Sequence, residues 1–123
     1  MNRRAIGDSA ERLACEYLQQ RGLQLLQRNF HCKGGEIDLV MQHGDSLVFV
    51  EVRYRRYTAF GGAAETISQQ KQGRVIRCAR YYISRHRRWN TASRFDVICI
   101  EGEPGNMQIE WISDAFRADA YDR

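Results

Sequence analysis

Residues 35–53 read GEIDLVMQHGDSLVFVEVR, and this stretch decides the fold. It contains two β-rich runs, 36–42 and 46–53, joined by Gly44-Asp45, a pair suited to a type II′ hairpin turn. If these two residues form the turn, His43 pairs with Ser46, and that closing pair fixes the register of the whole hairpin. The stretch therefore predicts two adjacent antiparallel strands.

That register brings two acidic side chains together. It places Asp38 opposite Glu51, and Glu36 opposite Arg53, with Cβ atoms of directly opposed residues about 4.5–5.5 Å apart. Facing carboxylates repel each other, so a fold does not place them there for stability. A divalent cation removes the repulsion, and Mg²⁺ favours one or two carboxylates with waters and phosphate oxygens. We therefore expect Asp38 and Glu51 to hold Mg²⁺ or Mn²⁺, unless an odd-length loop without a bulge shifts the register.

Outward from the hairpin, the apolar periodicity predicts a single α/β domain over residues 1–123. The expected order is α β β β α β β. Its parts are a helix at 9–20, a strand at 23–30, the two hairpin strands, a loop at 54–65, a long helix at 67–85, a buried strand at 95–101 and an edge strand at 107–111. In the long helix, Ile67, Lys71 and Val75 are spaced four residues apart, so Lys71 should point inward from an otherwise apolar stripe.

The charge distribution is one-sided. The chain has 19 Lys and Arg against 15 Asp and Glu, a net charge of +4, yet residues 66–95 contain no carboxylate. The basic residues of that window are Lys71, Arg74, Arg77, Arg80, Arg85, Arg87, Arg88 and Arg94. Such a stretch indicates a phosphate-backbone partner, because arginine bonds phosphate through two donors. The alternative is a solvated helix face that binds nothing.

Several classes of protein are disfavoured. The first residues carry charge without an apolar run behind them, and no apolar run is long enough to span a membrane. The four cysteines form no C-x-x-C pair, which argues against a zinc site. We therefore expect a cytoplasmic protein with free thiols and no membrane partner.

Three short runs resemble a known family. They are GEIDLV at 35–40, VFVEVRYR at 48–55 and RFDV at 94–97, and they resemble the YraN family of uncharacterised bacterial proteins over roughly residues 7–116. That family is in turn similar to the archaeal Holliday-junction resolvases, which are PD-(D/E)xK nucleases. The resemblance implies a restriction endonuclease-like mixed sheet flanked by helices, and a metal-dependent endonuclease acting on nucleic acid. DNA, branched or otherwise structured, is the implied substrate.

By this resemblance Asp38 is the motif aspartate, Glu51 is the acid of E-x-K, and Arg53 occupies the lysine position. The other implied catalytic residues are Glu11 on the first helix and Lys71, which forms a polar pair with Gln70 at the start of the long helix. Arginine stabilises charge but does not accept a proton, so cleavage would need help from another group such as Lys71.

Purely structural or surface roles stay open for some of these residues. Glu36 and Arg53 could form only a surface ion pair, Lys71 could extend its amine to solvent, and Glu11 could be an ordinary helix-surface acid. The expected nucleic-acid contacts are Arg55, Gln70, Lys71, Arg74, Arg77 and Arg80. The alternative function is a non-cleaving nucleic-acid-binding protein that retains the nuclease fold. A third and weaker alternative is a protein-interaction domain whose arginine surface binds an acidic partner. The assembly stays open between a monomer and a homodimer.

Overall fold

The computed structural model describes residues 3–56 and 67–118, with side chains from residue 7 onward. In chain order the elements are α1 (Arg3–Gln19), β1 (Gln24–Cys32), β2 (Gly35–His43), β3 (Ser46–Arg55), α2 (Gln69–Arg85), β4 (Ser93–Glu103) and β5 (Asn106–Phe116). The predicted order of elements is confirmed. The expected loop at 54–65 is wrong at its start, where β3 continues to Arg55 because it stays paired with β4, and residues 57–65 lie outside the described part.

The strands form one five-stranded mixed sheet in the order β1-β2-β3-β4-β5. Three neighbouring pairs are antiparallel, and β3 and β4 are parallel. A parallel pair needs a crossover connection, and α2 lies in the connection between these two strands. The sheet therefore combines a three-stranded meander with one crossover unit.

The predicted hairpin register is confirmed. His43 pairs with Ser46, and the backbone ladder continues as far as Leu39 and Val50. Gly44 has φ +61°, a left-handed conformation that the first central residue of a type II′ turn requires. Beyond Leu39 and Val50 the ladder ends, although β2 continues to Gly35 beside β1 and β3 continues to Arg55 beside β4.

Two apolar cores lie on the two faces of the sheet. Helix α1 contributes Ala14 and Leu18 to one core, where they meet alternate residues of the central strands such as Val48. Helix α2 contributes Val75 and Ala79 to the other core. A fully buried side chain of leucine size contributes roughly 1.5–3 kcal/mol through removal from water, so both helices are held mainly by these faces.

The start of α2 sets the position of Lys71. The helix begins at Gln69, two residues later than predicted, because the Ser68 side chain accepts a hydrogen bond from Lys71 N at 3.1 Å and caps the helix. Ile67 and Val75 are buried as the stripe predicts. Lys71 is therefore in the first turn, on the side of α2 that faces the sheet.

Two further features of the structure are the state of its thiols and the character of its helices. All four cysteines are free, and Cys15, Cys78 and Cys99 are buried while Cys32 is half-buried. Within residues 3–56 and 67–118, neither helix has the length and apolar character needed to cross a membrane.

Candidate metal centre and nucleic-acid interface

The centre lies where the β2–β3 ladder ends. In a continuing ladder the Val52 amide would donate to a backbone carbonyl of β2. Here Val52 N donates to Asp38 Oδ2 at 2.8 Å, so a carboxylate takes the place of that carbonyl. The predicted pairs Asp38–Glu51 and Glu36–Arg53 thus fall beyond the last backbone pair of the ladder. The opening leaves room for acidic side chains between two strands of the sheet.

Glu51 is the buried acid of this opening. Only 2% of its surface is exposed, and Lys71 Nζ lies 3.5 Å from its Oε2 atom. Its Oε1 atom is buried and has no hydrogen-bond partner among the described residues. Buried polar atoms are nearly always paired, so an orphaned carboxylate oxygen points to a ligand that completes it. Because Lys71 belongs to α2, the contact also places Glu51 on the α2 face of the sheet.

Burial and neighbouring negative charges disfavour the charged forms of both acids. Burial raises the pKa of Glu51 to about 8, the negative charge of Asp38 adds to the rise, and the Lys71 ammonium opposes it. Burial also raises the pKa of Asp38, and the charge of Glu36 adds to the rise. The hydrogen bond from Val52 N, the charge of Lys71 and a hydrogen bond with Glu51 oppose it. The two carboxylates are therefore close enough to interact, as the register predicts. Lys71 alone does not compensate both.

Glu11 on α1 belongs to the same electrostatic environment. It is half-buried, and burial raises its pKa to about 7. The charges of Asp38, Asp8 and Glu36 raise the pKa of Glu11 further. An ordinary helix-surface acid would not be desolvated in this way, so Glu11 sits at the margin of the carboxylate centre.

Glu36 and Arg53 lie beyond the last backbone pair of β2 and β3. Glu36 on β2 pairs with His31 on β1, and His31 Nδ1 is 3.3 Å from Glu36 Oε2. Arg53 is half-buried and pairs along β3 with Cys99 of β4. The β2–β3 ladder ends before the level at which Glu36 would oppose Arg53, so the contact between these two side chains stays a prediction.

The donor set determines which cation these residues fit. Asp38 and Glu51 offer oxygen atoms only, and no group of three or more His, Cys, Asp or Glu side chains converges in the two described ranges. Zinc normally has three or four protein ligands, whereas Mg²⁺ keeps several waters and uses one or two carboxylates. The pair, with its orphaned Glu51 oxygen, fits Mg²⁺ or Mn²⁺.

The basic residues lie along α2. Arg74, Arg77 and Arg80 are exposed, as is Gln70 near the start of the helix. Arg55, at the end of β3, is half-buried and pairs with Glu101 of β4. Residues 57–65 of the loop expected at 54–65 lie outside the described part. The structure therefore brings the arginines of α2 onto an accessible surface that begins at Lys71.

One buried acid was not singled out by the sequence. Asp96 on β4 has no exposed surface, and it accepts hydrogen bonds from Arg94 Nε at 3.0 Å, Trp111 Nε1 at 2.9 Å and Asp114 N at 2.9 Å. Its carboxylate is fully satisfied, so it fixes β5 on β4 rather than offering oxygen to a ligand. The available signal was its place inside the apolar run 95–100.

The family model and the related proteins agree on one family. The model of the "Uncharacterised protein family UPF0102" matches residues 10–100. A UPF0102 protein of Nitrosococcus oceani is 51% identical over 115 residues, which cover 93% of each chain. A UPF0102 protein of Pseudomonas syringae pv. syringae is 47% identical over 116 residues, covering 93% of this chain and 94% of the relative.

Proposed function

The chain belongs to the uncharacterised protein family UPF0102, and we propose that it is a divalent-metal-dependent endonuclease that hydrolyses phosphodiester bonds in nucleic acid. The observation that carries the proposal is Glu51. It is buried beside a second carboxylate, its pKa is raised to about 8, and one of its oxygens is unpaired. A fold that needed only stability would not retain such a group.

Asp38 and Glu51 would hold Mg²⁺ or Mn²⁺ through their oxygen atoms. When bound, the cation supplies charge stabilisation to a phosphoryl oxygen and lowers the pKa of a coordinated water. The Val52 amide restrains the Asp38 carboxylate through one oxygen, and Lys71 restrains Glu51 through one oxygen. Each acid thus keeps a fixed orientation toward the opening of the sheet.

Three cationic groups would act on the phosphate. Lys71 has 37% of its side chain exposed, so its ammonium can donate to Glu51 and to a phosphate oxygen at the surface. Arg53 stays protonated and stabilises the charge that develops in the transition state. Arg74 continues the positive surface along α2, where a phosphate backbone would bind without regard to sequence.

The restriction endonuclease-like fold is part of the same proposal. Its support is the mixed five-stranded sheet, the crossover through α2, and an acidic pair at the edge of a sheet opening. The proposed substrate is DNA, with branched or structured forms foremost, and Glu11 would add a further negative charge at the margin of the centre.

A non-cleaving nucleic-acid-binding protein is the second candidate. Arg53 favours it, because a guanidinium does not accept a proton and the usual residue at this position is lysine. In this case the α2 surface would bind nucleic acid while the carboxylates bind no catalytic metal.

Cleavage assays separate the two. Purified protein is incubated with four-way junctions, flapped duplexes, blunt duplexes and single strands, in Mg²⁺, Mn²⁺ or EDTA. The proposal expects metal-dependent nicking that Glu51→Ala abolishes, while Glu110→Ala, which removes an exposed acid of β5, leaves it unchanged. Binding of these nucleic acids without nicking in either metal would establish the second candidate instead.

A further inference from the structure

A basic groove lies between the β1–β2 turn and α2. It has a volume of about 580 Å³ and is lined by His31, Cys32, Lys33, Arg77 and Tyr81. That volume is in the range of sites that hold small organic ligands. Among the described residues, its lining contains two permanent cations and a histidine but no carboxylate. The Glu36 carboxylate lies 3.3 Å from His31 Nδ1, one of the lining groups. The groove is thus complementary to an anion with an attached apolar group.

Tyr81 gives the groove an aromatic surface. It is 47% exposed, and its ring packs on buried Phe30, with centroids 6.0 Å apart and planes inclined at 32°. Phe30 is itself held edge-on by Tyr82 at 5.1 Å. The Tyr81 ring is therefore packed on one side against an ordered ring. A planar group that stacks on its other side would cost little additional side-chain entropy.

The groove and the carboxylate centre both lie beside α2, at different levels of the helix. Arg74 and Tyr81 are seven residues apart and share one flank of α2. A Cβ on Gly35 would lie 3.4 Å from Arg74 O, and one on Gly34 would lie 3.4 Å from Arg77 Nη1, so this flank packs closely on the β1–β2 turn. Lys71, at the centre, is ten residues from Tyr81, which is about 15 Å along the helix.

We infer that this groove binds an unpaired nucleotide of the nucleic acid, with its base stacked on Tyr81 and its phosphate between Lys33 and Arg77. The inference rests on the proposed function and deepens it by naming the substrate class. A base inside a duplex is covered on both faces by its neighbours, whereas an unpaired base can stack on an aromatic side chain. The substrate therefore has a single-stranded segment about 15 Å from the phosphate at the carboxylates.

Binding measured in EDTA tests the groove independently of cleavage. Fluorescence anisotropy compares a labelled single strand with a blunt duplex of the same sequence. Tyr81→Ala should weaken single-strand binding about tenfold or more and leave duplex binding nearly unchanged, whereas Tyr81→Phe should keep wild-type affinity. Trp89→Ala, which removes an exposed aromatic outside the groove, is the matched control and should change neither. Equal affinities of Tyr81→Ala and wild type for the single strand would overturn the inference, as would an equal loss on the duplex.

The Cys32 thiol provides a second measurement that needs no substitution of Tyr81. Cys32 lines the groove and is half-buried, while the other three cysteines are buried, so it should react first with a thiol reagent. A saturating single strand should slow that reaction severalfold, and Cys32→Ser should remove the fast phase. An unchanged rate overturns the inference even if Tyr81→Ala fails to fold.

The two proposals fail in different ways. If the single strand stacks on Tyr81 and protects Cys32 but no metal supports cleavage, the groove proposal is supported and the endonuclease proposal is rejected. If nicking occurs and neither Tyr81 nor Cys32 responds, the endonuclease stands and the groove is not where its substrate binds.

Discussion

Lys71 Nζ lies 3.5 Å from Glu51 Oε2, and the two side chains are unequally buried, at 37% and 2% exposed. A cation that is partly in solvent is screened and compensates a buried carboxylate incompletely. Burial and the negative charge of Asp38 therefore keep the pKa of Glu51 raised although an ammonium is close by. The pair is stable enough to orient Glu51 and too weak to satisfy it.

Glu51 should make folding stability depend on pH. Its pKa is raised from 4.5 to about 8, so the folded state favours the neutral acid. The associated stability is present in full below pH about 4.5 and is lost as pH rises toward about 8. In EDTA, the free energy of unfolding of the wild type should fall across this window, and Glu51→Gln should reduce the fall by about 1 kcal/mol or more.

Urea denaturation at several pH values measures this effect. Some slope should remain in Glu51→Gln because Glu11, with its pKa raised to about 7, titrates in the same direction. Glu110→Gln, at an exposed site, should follow the wild-type curve. Parallel curves for wild type and Glu51→Gln would contradict the desolvation of Glu51.

Metal binding should displace a proton. At neutral pH the Glu51 carboxyl is largely protonated, so a cation that needs its carboxylate must release that proton. Calorimetric titration with Mn²⁺ in two buffers of different ionisation enthalpy should detect the release. Asp38→Asn should weaken binding by about 1–4 kcal/mol, the range expected for one lost charge contact. Equal heats in both buffers would contradict the release of a proton from Glu51 on metal binding.

Arg53 should act on turnover more than on stability. Arg53→Lys should retain or raise cleavage, because lysine also donates to phosphate and can lose its proton when desolvated. Arg53→Ala should lower kcat by about 10²-fold or more, since a preorganised charged donor contributes a few kcal/mol to the transition state. If Arg53→Ala changed only the free energy of unfolding, by about 0.2–1 kcal/mol, Arg53 would have a structural role alone.

The α2 surface should bind nucleic acid without sequence preference. Reversing Arg74 and Arg77 to Glu should weaken binding to all sequences alike and lower the slope of log affinity against log salt by roughly two units. Reversing Arg12 and Arg21, which are exposed at α1 and just after it, changes net charge equally and is the control. Equal losses in the two double variants would indicate an effect of net charge and not of this surface.

The sequence predicts what depends on local rules. Gly44-Asp45 determines the turn, and the turn determines the register through Leu39 and Val50. Asp38 and Glu51 lie just beyond these pairs, where the Asp38 carboxylate accepts the hydrogen bond from Val52 N. The buried stripe of α2 also follows from spacing alone, as Val75 shows.

The remaining features depend on partners distant in the chain. Beyond the end of the β2–β3 ladder, β2 stays paired with β1 and β3 stays paired with β4. The geometry of the hairpin alone does not predict these neighbours. Glu36 pairs with His31 because β1 is its neighbour at that level. Asp96 is satisfied by donors 15 and 18 residues away, on a strand whose register is set by a bulge.

The hydrogen bond from Val52 N to Asp38 also has a spectroscopic consequence. Most strand amides report only on backbone geometry, but this one reports on the electron density of a carboxylate. Its ¹H and ¹⁵N resonances should shift when Asp38 gains a proton or shares its oxygens with a cation. Its exchange with solvent deuterium should change with them, because the acceptor is a side chain that can rotate away. The Val52 amide resonances would therefore report whether the centre is occupied, in a protein that carries neither a substitution nor a fluorescent dye.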